Sequence, residues 1–187
     1  MSQFQRAAVI VGGCGRVGLP LGVALASRGQ TVTLYDINAE AVDIVNSGRL
    51  PFAEDGAAGH LADAVRTGTL VATTDPASVA AAEVIVVVVG TPVDEHLNPD
   101  LGAVPRALER CIDHLRDGQL VVLRSTVHPG VTTLTERLLT RHGFDIDVAF
   151  CPERIAEGHA MTELFELPQL VSARGERAMR RASEFFS

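Results

Sequence analysis

The sequence predicts an α/β fold, in which a doubly wound parallel sheet carries helices on both of its faces. Two features predict it: short runs of β-branched residues alternate with longer amphipathic segments, and a glycine-rich turn follows the first run. Strands that are separated by helices form right-handed βαβ units, and successive units build a parallel sheet. Because 187 residues suit one domain of ordinary size, we expect residues 1–187 to form that domain.

Seven short apolar runs are the predicted strands. The run at 83–89 contains five valines and is apolar on both faces, as a strand in the middle of a parallel sheet must be. The run at 170–172 is a candidate for one more strand after the first six. In chain order the predicted strands are 7–11, 31–35, 70–72, 83–89, 120–123, 147–150 and 170–172.

Six amphipathic segments between these runs are the predicted helices. Pro20 suits the first turn of the first helix, where its missing N–H is tolerated, and Gly48 ends the second helix. The last helix has a second face with no partner in this chain, so we expect more protein to follow Ser187 in the parent gene product. In chain order the predicted helices are 16–28, 39–46, 56–66, 104–115, 131–141 and 176–186.

The composition excludes several classes of function. The net charge of −7 offers no basic face to nucleic acid or to an acidic membrane. All sixteen positive residues are arginine, which excludes a P-loop and a Schiff-base lysine. Cys14, Cys111 and Cys151 are scattered, so no metal site is expected. The first residues do not show the basic and apolar regions of a signal peptide, and no apolar stretch is long enough to cross a bilayer, so we expect a cytoplasmic protein.

The first strand runs into a GxGxxG turn that is built from Gly13, Gly15 and Gly18. Gly13 allows the tight turn, Gly15 lets the backbone approach a pyrophosphate, and Gly18 lets helix and strand pack closely. The following helix offers its first N–H groups, those of Arg16 and Val17, to the anion. The pattern is typical of a Rossmann-like dinucleotide site, and a glycine-rich turn without a ligand is the simpler alternative.

Asp36 closes the second strand, eighteen residues after Gly18. A carboxylate at this position accepts hydrogen bonds from the hydroxyl groups of the adenosine ribose and repels a 2′-phosphate. The neighbouring Ile37 and Asn38 provide no cation for such a phosphate. The cofactor predicted for this site is therefore NAD rather than NADP.

Polar motifs follow three later strands, where the carboxyl ends of a doubly wound sheet form its ligand crevice. Singly, each has a plain structural explanation: Thr91 can belong to a common turn, Thr126 can cap local backbone, and Glu153 with Arg154 can form a solvated surface pair. Together they are predicted to face one crevice. The motifs are Gly90-Thr91-Pro92, Arg124-Ser125-Thr126-Val127-His128-Pro129-Gly130 and Cys151-Pro152-Glu153-Arg154.

These motifs, with 11–21 and Tyr35-Asp36-Ile37-Asn38, resemble the N-terminal NAD-binding domain of the UDP-glucose/GDP-mannose dehydrogenase family across nearly the whole chain. The resemblance implies oxidation of the C6 hydroxymethyl group of a nucleotide sugar to a carboxylate, with two NAD and a covalent thioester. Pro152-Glu153-Arg154 is similar to the branch that acts on UDP-N-acetylhexosamines such as UDP-N-acetylmannosamine. UDP-glucose enzymes usually carry an aromatic residue after Pro-Glu.

The resemblance also implies a role for each matching residue. Thr126 and Glu153 match positions that order a water and assist proton transfer, which suits the hydrolysis of a thioester. Glu153, Arg154 and Ile155 match positions that contact the sugar nucleotide. The implied cofactor contacts are Gly13, Gly15, Arg16, Val17 and Gly18 on the pyrophosphate, Asp36 on the ribose, and Thr91 and Thr126 beside the nicotinamide.

The chain also lacks parts of the family pattern. The family's nucleophilic cysteine lies in the later substrate domain, and its catalytic lysine and asparagine lie on the linking helix. We therefore expect this chain to bind NAD without turning over a UDP-sugar. The alternatives are a standalone NAD-binding or regulatory module without catalysis, and the cofactor domain of a 6-phosphogluconate or hydroxyacyl-type dehydrogenase. Apolar surface that a second half would cover predicts a homodimer or weak self-association.

Overall fold

The computed structural model describes residues 7–91, 95, 99–156 and 158–187. Its strands are β1 (Ala8–Val11), β2 (Val32–Tyr35), β3 (Leu70–Thr73), β4 (Val84–Val87), β5 (Leu120–Leu123), β6 (Asp147–Phe150) and β7 (Ser172–Ala173). They form one seven-stranded sheet in the order β3-β2-β1-β4-β5-β6-β7. The chain therefore winds outward from β1 in one direction and from β4 in the other.

Six of the seven strands are parallel, so the predicted parallel sheet is confirmed for β1 to β6. β4 is buried at all four of its residues, as its valine-rich sequence predicts. The candidate strand at 170–172 is found at Ser172–Ala173, where it pairs antiparallel with β6. An antiparallel strand at the edge of a parallel sheet is common, because it does not require a parallel crossover connection.

Helices cover both faces of the sheet, as predicted. They are α1 (Gly18–Ser27), α2 (Ala39–Asn46), α3 (Ala57–Thr67), α4 (Ala103–Glu109), α5 (Val131–Arg141), α6 (Ala160–Glu166) and α7 (Glu176–Phe185). One hydrophobic core lies between the sheet and α1, α2, α3, α6 and α7, and the other lies between the sheet and α4 and α5. This change of face puts the switch point of the sheet between β1 and β4.

Two helical segments differ from the prediction. The helix expected at 104–115 is α4 followed by a separate 3₁₀ turn at Ile112–His114. Cys111 and Leu115 flank this turn, and the break lets both pack into the core beneath α4 and α5. The periodicity does not predict α6, since only two of its seven residues are buried. Every helix in the described part of the chain is too short or too polar to cross a lipid bilayer.

The last helix docks on the sheet through an apolar face and an ion-paired face. α7 buries three of its residues against the core. Arg177 donates to Asp147 at 2.9 Å through Nε and to Asp145 at 2.7 Å through Nη2, and this pairing lowers the pKa of Asp145. The face expected to lack a partner is therefore engaged in part by acids at the start of β6, while Met179 stays 37% exposed.

Candidate functional site

A crevice opens between the carboxyl ends of β1 and β4, at the switch point where sheets of this class bind their ligands. Its larger part has a volume of about 380 Å³ and lies between the glycine turn and the ends of β4, β5 and β6. Its smaller part has a volume of about 270 Å³, lies beside β2 and α4, and is lined by Asp36. The predicted residues that line the larger part are Gly15, Arg16, Val17, Thr91, Thr126, Glu153 and Ile155.

Three glycines shape the turn where it packs against the rest of the fold. Gly12 has a φ of 80°, in the left-handed region, and a Cβ there would overlap the carbonyl oxygen of Val88. A Cβ on Gly13 would lie 2.7 Å from the Cβ of Leu34, and one on Gly18 would lie 2.6 Å from the Gly12 carbonyl oxygen. Gly12 therefore makes the tight turn predicted for Gly13, which instead allows close packing against β2.

The exposed rim of the turn fits an anion. A Cβ on Gly15 would have only the Gly12 carbonyl oxygen within 4 Å, at 3.6 Å, so the backbone is bare where it meets the crevice. α1 begins at Gly18 rather than at position 16, which leaves Val17 as the N-cap. No acceptor for the Val17 backbone N–H is found among the described residues. This donor, at the positive end of α1, is available to a phosphate.

Arg16 adds a positive charge to the same rim. Its guanidinium lies 5.3 Å from the centre of the Phe52 ring, a distance at which a cation is attracted to an aromatic face. The residue also lines the larger part of the crevice. Its side chain is therefore placed near the expected anion, beyond the backbone N–H that the sequence predicts as the contact.

Two backbone donors hold the Asp36 carboxylate at the end of β2. Its Oδ2 accepts the Cys14 N–H at 3.0 Å, and its Oδ1 accepts the Asn38 N–H at 3.0 Å. A carboxylate has about four acceptor positions, so both oxygens keep capacity for ribose hydroxyl groups. Asp36 thus joins the glycine turn to the smaller part of the crevice.

Ser125 ties the ends of β4 and β5 together. Its hydroxyl donates to the Val89 carbonyl at 2.8 Å and accepts the Val89 N–H at 2.9 Å. The Thr91 hydroxyl donates to the Thr126 carbonyl at 3.1 Å. These bonds hold the two threonines side by side in the crevice, and Pro92 of the predicted motif lies outside the described residues.

Glu153 is a fixed carboxylate in the wall of the crevice. Its Oε1 accepts the N–H groups of Arg154 at 2.7 Å and Ile155 at 3.1 Å, and its Oε2 forms an ion pair with Arg124. Its side chain is 10% exposed, unlike the solvated pair with Arg154 that the sequence also allows. The Arg154 guanidinium instead donates to the Pro168 carbonyl at 2.6 Å and does not line the larger part of the crevice.

The chain matches the NAD binding domain of the UDP-glucose/GDP-mannose dehydrogenase family over residues 7–187. The chain belongs to this family. The match agrees with the resemblance that the motifs indicate, and it makes NAD the cofactor of the domain. The seven-stranded sheet with helices on both faces is accordingly a Rossmann-like fold.

Named dehydrogenases of this family are similar to nearly the whole chain. An NDP-N-acetyl-D-galactosaminuronic acid dehydrogenase from Ralstonia nicotianae is 33% identical over 95% of this chain and 44% of its own length. A UDP-N-acetyl-D-mannosamine dehydrogenase from Salmonella typhimurium is 32% identical over 93% of this chain and 44% of its own length. The structure of a UDP-D-ManNAc dehydrogenase from Pyrococcus horikoshii has a TM-score of 0.90 at 30% identity, over 96% of this chain and 44% of that one. The chain spans less than half the length of these relatives.

Sequence reasoning placed Arg124 in a motif at the crevice but did not recognise its pairing with Glu153. Arg124 is fully buried after β5, where its Nη1 donates to the Cys151 carbonyl at 3.2 Å and its guanidinium lies 4.9 Å from the Phe186 ring centre. Burial lowers the pKa of Arg124, and the Glu153 carboxylate opposes that shift. An arginine directly after the apolar run 120–123 was the available signal, because a charge buried there requires a partner.

Two glutamates that the sequence did not single out anchor the loop after β6. Glu54, which is 7% exposed, accepts the Gly158 N–H at 3.2 Å and the Ala160 N–H at 2.7 Å. Glu163 accepts the Ala156 N–H at 2.7 Å. Glu54 and Gly158 are 104 residues apart in the chain, so no local sequence pattern predicts their contact. The two carboxylates fix the loop that carries Glu153.

All three cysteines are buried and free of disulfides. Burial raises the pKa of Cys14 to about 12, and it raises those of Cys111 and Cys151 to about 11. A thiol that stays protonated is a poor nucleophile, so Cys14 acts as a small packing residue inside the glycine turn. The described residues contain no group of three His, Cys, Asp or Glu side chains that could hold a metal ion.

Ser125→Ala should destabilise the crevice, because it removes the two hydrogen bonds between the Ser125 hydroxyl and the Val89 backbone. Leaving the Val89 backbone groups unpaired should lower the free energy of unfolding by about 1–3 kcal/mol. Urea unfolding measures this loss, and NADH titration should show weaker binding. Ser47→Ala is the control, since that hydroxyl is exposed: it donates to the Ile44 carbonyl and accepts the Arg49 Nε–H, and water can replace both bonds. Equal unfolding midpoints for the two variants would contradict the prediction.

Proposed function

We propose that residues 1–187 are the NAD-binding domain of a nucleotide-sugar 6-dehydrogenase. The enzyme would oxidise the C6 hydroxymethyl group of a UDP-sugar, of the UDP-N-acetylmannosamine or UDP-glucose type, to a uronic acid. The observation that carries the proposal is the crevice along which the bare glycine rim, Asp36, Thr126 and Glu153 meet. Relatives named for UDP-N-acetyl-D-mannosamine and NDP-N-acetyl-D-galactosaminuronic acid support this class of substrate.

In the proposed complex the glycine rim holds the pyrophosphate, and Asp36 accepts hydrogen bonds from the adenosine ribose. Gly15 admits the phosphates because it has no Cβ, and the Val17 N–H donates to them. Thr91 and Thr126 line the larger part of the crevice, on the nicotinamide side. Bound NAD supplies the hydride acceptor for the carbon that is oxidised.

Thr126 and Glu153 are the proposed catalytic residues of this domain. The N–H groups of Arg154 and Ile155 and the Arg124 guanidinium together fix the orientation of the Glu153 carboxylate. A carboxylate held in this way can take a proton from a water that the Thr126 hydroxyl also binds, which is general-base catalysis. Arg154 and Ile155 are the further proposed contacts to the sugar nucleotide.

By itself, the chain is proposed to bind NAD but to oxidise no sugar. A thioester route needs a reactive thiolate, and the three cysteines of this chain are all buried with raised pKa values. The same buried cysteines favour the second candidate, an NAD-binding module without catalysis. Both candidates predict NAD binding, and they differ in whether a UDP-sugar reduces NAD in the parent protein.

Asp36→Ala should lower the affinity for NADH by about tenfold or more, because it removes charge-assisted hydrogen bonds to the ribose. Cofactor fluorescence on the purified chain measures this, with NADPH titrated in parallel and expected to bind more weakly than NADH. Asp43→Ala, which changes an exposed acid on α2, is the matched control and should leave both affinities unchanged. A wild-type chain that binds no NADH would contradict the proposed function.

The proposal also includes predictions for the cellular location and the oligomeric state of the protein. A cytoplasmic protein that forms a homodimer or associates weakly is expected, with neither nucleic acid nor membrane as a partner. Phe165 and Leu170, which are 45% and 49% exposed beside the loop after β6, support the self-association.

A further inference from the structure

Helix α4 and its C-cap residue bring two arginines to the adenosine end of the crevice. Arg106 and Arg110 lie four residues apart, so they share one face of the helix. Both line the smaller part of the crevice together with Tyr35, Asp36 and Ile37. The residues next to Asp36 in sequence carry no cation, but its neighbours in space do.

The two arginines differ in how far their charges are neutralised. Arg106 forms an ion pair with Asp100, whose other oxygen accepts the Gly102 N–H at 3.0 Å, and this pair lowers the pKa of Asp100. Arg110 is exposed and has no ion-pair partner within the described ranges of the chain. Its positive charge is therefore available to a ligand in the pocket.

Arg110 and Asp36 act on the same small region. Burial is the largest cause that raises the pKa of the Tyr35 hydroxyl, while the Arg110 charge lowers that pKa and the Asp36 charge raises it. Both charges therefore act on one side chain of the pocket wall, and all three residues line the same pocket. An anion bound beside the ribose would experience both of them.

We propose that Arg110 makes the adenosine end of the crevice a latent 2′-phosphate site, which the Asp36 carboxylate keeps closed. The inference rests on the proposed function, because it needs the adenosine half of the cofactor to lie in this pocket. An arginine near the ribose accommodates the 2′-phosphate of NADP, whereas an acid at the end of the second strand favours NAD. This pocket contains both groups, so removing the acid should be enough to admit the phosphate.

Four proteins test the proposal by NADPH and NADH titration at one ionic strength: wild type, Asp36→Asn, Asp36→Asn/Arg110→Ala, and Asp36→Asn/Arg141→Ala. Asp36→Asn should raise the NADPH affinity by about tenfold, since it removes the repulsion and keeps one acceptor oxygen for the turn. Arg110→Ala should abolish that gain. Arg141→Ala removes an exposed arginine at the end of α5 that does not line the pocket, and it should preserve the gain.

The outcomes separate this inference from the proposed function. A gain that survives Arg110→Ala, or no gain in Asp36→Asn while the wild type binds NADH, overturns the inference alone. A wild-type chain that binds no NADH contradicts the proposed function and the inference with it. If Asp36→Asn fails to fold, the two nucleotides adenosine 2′,5′-bisphosphate and AMP are instead titrated as competitors of NADH on the wild type and on Arg110→Ala. Arg110→Ala should weaken the binding of the bisphosphate at least about threefold more than it weakens the binding of AMP. Equal weakening overturns the inference.

Discussion

Glu153→Ala should lower the free energy of unfolding by about 3–5 kcal/mol, because it leaves the Arg124 guanidinium buried without a counter-charge. The Arg124 side chain is 0% exposed, so its charge depends on the carboxylate rather than on bulk solvent. Its other contacts are the Cys151 carbonyl and the Phe186 ring, and neither carries a negative charge. Urea unfolding measures the loss as a lower midpoint at an unchanged slope.

Two further variants separate the buried charge from other effects of this substitution. Glu166→Ala removes an exposed glutamate on α6 and should change stability by no more than about 0.5 kcal/mol. Arg124→Met in the Glu153→Ala background should recover much of the lost stability, because it removes the unpaired charge as well. If Glu153→Ala and Glu166→Ala have the same midpoint, then Glu153 is a solvated residue, as the sequence alone allowed.

The sheet could be predicted because its signal is local. Each of β1 to β6 is a short run of mainly apolar residues, and three of the four residues of β4 are valine. Strand β7 has two residues and therefore no period, so its antiparallel direction depends on where the chain returns after α6. The break after α4 depends in the same way on tertiary packing, since Cys111 and Leu115 both enter the core.

The candidate site could be predicted only where its chemistry directly follows a strand. Thr126 and Glu153 are such residues, and the structure places both in the crevice. The pairing of Arg124 with Glu153 depends on the register of β5 against β6, which neither strand specifies by itself. Arg110 is likewise remote from Asp36 in the chain, and only the packing of α4 beside β2 brings the two into one pocket.

Gly15→Ala should lower the affinity for NADH by about ten- to a hundredfold, because one methyl group inserted into filled space costs about 1–3 kcal/mol. In the proposed complex that space holds the pyrophosphate, which lies against the bare backbone of the turn. The chain without cofactor should keep its melting temperature, since the added Cβ meets only the Gly12 carbonyl oxygen, at an ordinary 3.6 Å. Thermal melting and NADH fluorescence of the same preparation measure the two quantities.

Gly18→Ala is the contrasting variant, because its Cβ would lie 2.6 Å from the Gly12 carbonyl oxygen and 2.9 Å from the Gly13 Cα. Both neighbours are backbone atoms that cannot rotate away, so this variant should lose stability even without cofactor. We expect Gly15→Ala to lose NADH binding without losing stability, and Gly18→Ala to lose both. This difference would show that Gly15 contacts the ligand and that Gly18 is needed for packing within the fold. If Gly15→Ala binds NADH as tightly as the wild type does, then the glycine turn serves only packing and the pyrophosphate lies elsewhere.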